Sequence, residues 1–118
     1  MSKNPIVHWE LMGPDGDAMK TFYSTIFDWK FQSPPGFENY HMTDAEDLGV
    51  GGAVGQGMED MPAYAAIYVQ VESIDSTLEK VEKAGGKTVV PRTVIPDTVV
   101  FGMFHDPAGN LVAVVEED

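Results

Sequence analysis

Cysteine is absent from this 118-residue chain. Disulfides, thiolate metal sites and thiol nucleophiles are therefore excluded. Basic residues are scarce: 7 Lys and Arg stand against 19 Asp and Glu, a formal charge of −12. So acidic a surface repels phosphate backbones, and nucleic acid is not an expected partner. Only Lys80, Lys83, Lys87 and Arg92 approach a basic cluster, and Glu79 and Glu82 dilute it. Long apolar runs are missing too. None nears the ~20 residues of a bilayer-spanning helix, so no membrane partner is expected. No charged, apolar and small-residue leader opens the sequence, and a cytoplasmic location is the expectation. What remains is a 43% apolar composition and a length suited to a single domain with a sizeable core.

Local patterns divide the chain into short elements. Ile6 to Met12 alternates as a strand, with His8 and Glu10 on one face and Val7, Trp9 and Leu11 on the other. Pro14-Asp15-Gly16-Asp17 predicts a turn in which Asp15 or Asp17 caps a helix. Ala18, Met19, Phe22, Tyr23 and Ile26 then fall at helical spacing and form one apolar stripe. Strands are predicted over Asp28–Gln32, Asn39–Thr43 and Leu48–Gln56, separated by Ser33-Pro34-Pro35-Gly36 and the acidic turn Asp44–Asp47. Met58–Pro62 is the one credible linker. Beyond it, Tyr64 to Val71 predicts a strand and Ser73 caps a helix whose stripe is Ile74, Leu78, Val81 and Ala84. Gly85-Gly86 ends that helix, and strands follow over Lys87–Pro91, Thr98–Phe104 and Leu111–Val115.

The order is strand, helix, three strands, written twice with a period of roughly sixty residues. A ferredoxin-like α+β sandwich also alternates strands and helices, but it has four strands. The strand count after each helix favours two βαβββ modules, at residues 5–57 and 63–117 of one domain spanning 1–118.

Several stretches also resemble a known family. Ile6-Val7-His8-Trp9-Glu10-Leu11 is followed by Phe22-Tyr23-Ser24-Thr25-Ile26-Phe27-Asp28-Trp29, with Asp28 where the family usually has Gly. Ala84-Gly85-Gly86 closes the second helix, and Asp106-Pro107-Ala108-Gly109-Asn110 forms the turn of the last hairpin. In register, these resemble the vicinal-oxygen-chelate (glyoxalase/bleomycin-resistance/dioxygenase) superfamily over nearly the whole chain. The resemblance implies an α+β fold of two βαβββ modules, with curled mixed sheets and helices on the outer face. It also implies a ligand cavity within the sheets and a homodimer.

Metal-dependent relatives take ligands from the first strand of each module and from the module ends. His8 fits the first-strand ligand. The corresponding slots elsewhere fall at Ala66 and Ala113, and Val50–Val54 contains no carboxylate. Alanine has no lone pair, and one His cannot hold a divalent cation. The expectation is therefore no metal and no cofactor. A rebuilt site using Glu10, His41 or Glu72, or residues across a dimer, is the alternative.

His8 and Glu10 are the best polar pair, about 7 Å apart on one strand face. They are candidate catalytic residues for acid–base chemistry and candidate ligand contacts. Tyr68 and Gln70 share the face of Ala66, and Tyr68 is a candidate hydrogen-bond donor. The glycine run from Gly49 to Gly57 matches neither nucleotide-binding motif; its Gly51 and Gly52 are expected to leave room for a ligand. The expected ligand-binding set is thus His8, Glu10, Gly51, Gly52, Ala66, Tyr68 and Ala113. His41 reads as a cavity residue of its strand or, the commoner case, an exposed histidine; His105 reads as a surface residue, Trp9 and Trp29 as core, and Asp15-Gly16-Asp17 as too short for a calcium loop. The expected function is metal-independent binding of a small, partly apolar molecule. The alternative is an enzyme, working through His8 and Glu10 or through a non-standard metal site.

Overall fold

The structure is a computed structural model that describes residues 3–116. The predicted module end at residue 117 lies outside the described residues. The described residues form two compact units, 8–65 and 66–116 with 3–7. Each is built on a mixed sheet, giving an α+β fold.

The first unit holds most of β1 (Ile6–Gly13), then α1 (Gly16–Ile26), β2 (Tyr40–Met42), the short α2 (Ala45–Leu48) and β3 (Ala53–Gln56). Strand β3 is central: it runs parallel to β1, with Glu10 opposite Ala53, and antiparallel to β2, with His41 opposite Val54. Asp15 caps α1, its carboxylate accepting from the Ala18 amide at 3.1 Å. Helix α1 packs on β3 and β2. The predicted stripe is wider than the face it covers. Met19 and Tyr23 are partly buried, whereas Phe22 and Ile26 are 55% and 51% exposed.

Two predicted strands of this unit are not formed as read. Asp28–Gln32 reduces to a single bridge between Gln32 and Met42. Trp29 is drawn into an aromatic cluster, 5.3 Å from Trp9, 4.9 Å from Phe27 and stacked on Tyr23. Pro34 and Pro35 then supply no N–H to extend the ladder. Leu48–Gln56 contributes only Ala53–Gln56. Asp44 accepts from the Glu46 amide at 2.8 Å and so starts α2 instead of a turn. Gly49, at φ +84°, then reverses the chain.

The second unit holds nearly all of β4 (Tyr64–Val71), then α3 (Ile74–Lys83), β5 (Lys87–Ile95), β6 (Val99–His105) and β7 (Leu111–Glu116). Its strand order is β4-β7-β6-β5, with β4 parallel to β7 and the rest antiparallel. Strand β5 runs past the predicted Pro91 to Ile95, with register irregularities between Thr88 and Thr93. Ser73 caps α3 through the Ser76 amide. Glu116 accepts from the Ile74 amide at 3.0 Å and holds Arg92 through two bonds of 2.9 Å. Val71, Ile74, Leu78 and Val114 form the core beneath that helix. Full burial of an aliphatic side chain such as Ile74 is worth about 1.5–3 kcal/mol.

Candidate functional site

Alternation along β1 puts His8, Glu10 and Met12 on one face of the first unit and Trp9 on the other. Glu10 is only 5% exposed. A buried carboxylate needs hydrogen-bond donors, and the chain has few cations to offer. Two tyrosines supply them. Tyr40 in β2 donates to Glu10 Oε2 at 2.5 Å, and Tyr64 at the start of β4 donates to Glu10 Oε1 at 3.1 Å. The first distance is at the short end for an O–H to carboxylate bond, the class strengthened by charge.

The imidazole of His8 joins this group, with Nε2 2.7 Å from the Tyr40 hydroxyl oxygen. Tyr40 has one proton, and it is given to Glu10. His8 Nε2–H must therefore be the donor to the Tyr40 oxygen. Burial lowers the His8 pKa below the ordinary 6.5, outweighing the opposing pull of Glu10. The imidazole is thus neutral at pH 7. Burial, and then the adjacent Glu10 carboxylate, push the Tyr40 and Tyr64 hydroxyls well above the ordinary tyrosine value. Both stay protonated donors over any working pH. The result is a directed chain, His8 to Tyr40 to Glu10, with Tyr64 entering from the other side.

Tyr40 and Tyr64 are the residues that sequence reasoning missed as site members. One signal was available: an inward-facing Glu10 in a chain with so few cations calls for hydroxyl donors.

The other predicted residues fall as follows. His41, the next residue after Tyr40, turns to the opposite face, toward α1. It is 3% exposed, not exposed as the sequence suggested. Its Nδ1 meets Ser33 Oγ at 2.6 Å. Its Nε2 lies 3.2 Å from Asp17 Oδ1 but outside hydrogen-bonding geometry. Gly52 lies under the indole of Trp9: an added Cβ would sit 2.1 Å from ring carbons. The space at Gly52 is thus filled by Trp9, whose Nε1–H donates to Val50 O at 2.8 Å. Gly51 lies beside Ala45. In the second unit, Tyr68 pairs in register with Ala113. Ala66 and Tyr68 alternate with Val69 and Val71, the residues that pack toward α3. All three of Ala66, Tyr68 and Ala113 are buried. His105, at the end of β6, is partly buried.

Among the described residues no three His, Asp or Glu side chains gather closely enough to hold a metal ion. Both Glu10 oxygens are engaged by hydroxyls, and His41 faces away from Glu10. No helix of the described residues is long and apolar enough to cross a membrane.

Residues 5–114 match the Glyoxalase/Bleomycin resistance protein/Dioxygenase superfamily, and the chain belongs to that family. A glyoxylase-like domain-containing protein of Didymella fabae is 31% identical over 112 residues, covering 89% of this chain and 88% of the relative. A glyoxylase-named protein of Mycobacterium bovis, CFP32, is 28% identical over 109 residues. That match covers 91% of this chain, which spans only 42% of the mycobacterial protein. The crystal structure of a family member from Vibrio splendidus 12B01 has the same fold. It superposes at a TM-score of 0.64 with 15% identity, over 98% of this chain and all of the other.

Proposed function

We propose that this chain binds a small, partly apolar molecule at the His8–Tyr40–Glu10–Tyr64 cluster, without a resident metal. One observation carries the reading: the two oxygens of Glu10, the carboxylate nearest to His8 in sequence, are already held by Tyr40 and Tyr64. A few fixed polar groups beside apolar strand residues such as Met12 suit the orientation of a small ligand. Titration of protein carrying carbon-13-labelled tyrosine tests it, using small aromatic and aliphatic compounds of mixed charge. The ring signals of Tyr40 and Tyr64 should shift with at least one class. If no compound of any charge moves either ring, the proposal fails.

A second reading is metal-free acid–base catalysis, favoured by the unbroken path from His8 through Tyr40 to Glu10. Such a path lets a base at one end and an acid at the other serve one bound substrate. The glyoxylase names of the relatives support an enzymatic role in general terms. Under this reading His8→Ala abolishes turnover and leaves ligand-induced shifts at Tyr64 intact. We further propose a homodimer in the cytoplasm. The half-exposed Phe22, Ile26 and Phe27, on and just past α1, support the dimer as an uncovered apolar strip.

A further inference from the structure

Resting on the ligand-binding reading above, we infer that the ligand is a neutral or cationic hydrogen-bond donor (an amine, amide N–H or hydroxyl) and not a carboxylate or phosphate. The inference follows from counting protons in the cluster. Tyr40 has one hydroxyl proton and gives it to Glu10 Oε2; Tyr64 has one and gives it to Glu10 Oε1. The His8 Nε2 proton goes to the Tyr40 oxygen. Two of these protons are therefore given to Glu10 and the third to the Tyr40 oxygen.

What Tyr64 and Glu10 have left for a ligand is lone pairs. A hydroxyl oxygen can accept while it donates, and a carboxylate oxygen accepts more than one donor. Tyr64 is partly exposed, and its oxygen and those of Glu10 can each accept a further donor. A donor ligand adds a bond without breaking any. An anion brings more lone pairs to a buried negative charge and forces a tyrosine to turn away from Glu10. That would leave the carboxylate short of a donor, a penalty that discriminates strongly between otherwise similar ligands. The overall charge of −12 acts in the same direction at longer range.

Three probes with one apolar body test this: benzylamine, benzyl alcohol and benzoate. Each is titrated into the tyrosine-labelled wild-type chain, and affinity is read from the Tyr40 and Tyr64 ring signals. Both donors should bind at least tenfold more tightly than benzoate. Glu10→Gln, which gives the site an N–H donor and removes its charge, should narrow or reverse that order. Benzoate binding as tightly as the donors to the wild type overturns the inference and leaves the binding reading standing. Silence of both rings to all three probes overturns the inference, and the broader compound set then decides the binding reading separately. The ranking is read on the wild-type chain, so it survives a Glu10→Gln variant that fails to fold.

Discussion

The Tyr40 hydroxyl donates to Glu10 Oε2 at 2.5 Å, across 30 residues of sequence. That bond joins β2 to β1 on one face of the first unit, although β3 separates them in the sheet. It also fixes the proton direction from His8, because Tyr40 has only one proton to give.

Removing that hydroxyl should be costly. Tyr40→Phe leaves Glu10 with one donor fewer and takes the acceptor from His8 Nε2–H. An unsatisfied buried group costs about 1–3 kcal/mol. Urea denaturation should show a loss of that size with an unchanged slope. A neutral effect would mean that the Tyr40–Glu10 bond is absent in solution.

His8 gives a pH signature with a definite sign. Its folded pKa is depressed below 6.5, chiefly by burial. The unfolded chain therefore takes up a proton more readily than the folded one between the two values. Stability should fall as pH drops through 6.5 toward the folded pKa, and the His8 contribution is complete above 6.5. His8→Gln should flatten that part of the stability–pH curve. An unchanged slope in the variant would assign the effect to another group.

Two neighbouring glycines should respond differently to the same change. Gly52→Ala drives a methyl into the Trp9 indole, at 2.1 Å from its carbons. Overpacking of this kind costs about 1–3 kcal/mol or more. It should also alter tryptophan fluorescence, since the ring must move. At Gly51 the nearest atom is 3.2 Å away, so Gly51→Ala should be much milder. Equal effects at both positions would contradict the Trp9 placement.

The exposed strip near α1 bears on assembly. Sedimentation of the wild-type chain should show a dimer, and replacing Phe22 and Ile26 with Glu should yield a folded monomer. A dimer unaffected by that double change would place its seam elsewhere. A wild-type monomer at micromolar concentration would end the dimer proposal.

Much of this was legible where local chemistry decides structure. The Tyr64–Val71 strand, the Ser73 cap and the Asp106–Asn110 turn all depend on residues near each other in sequence. Asp106 accepts from the amides of Ala108 and Asn110, which fixes that turn. The first half was harder. Asp28–Gln32 has strand-like composition, yet Trp29 gains more from Trp9, Tyr23 and Phe27 than from a ladder. Helix α2 depends on one Asp44 carboxylate at a site read as a turn. Within the candidate site, the shared face of His8 and Glu10 followed from alternation. Tyr64 did not, because it lies 54 residues from Glu10 and aromatic strand residues usually serve packing. His41 was misjudged for a related reason: what covers its face is α1, which no pattern within β2 reveals.

The most direct test of the account is a crystal structure of the chain grown with both zinc and benzylamine, with zinc located by its anomalous scattering. We predict the amine nitrogen within hydrogen-bonding distance of Glu10 or Tyr64, both tyrosines still on Glu10, and no zinc on His8. Zinc bound to His8, with Glu10 turned away from Tyr40 and Tyr64 to share it, would contradict the account.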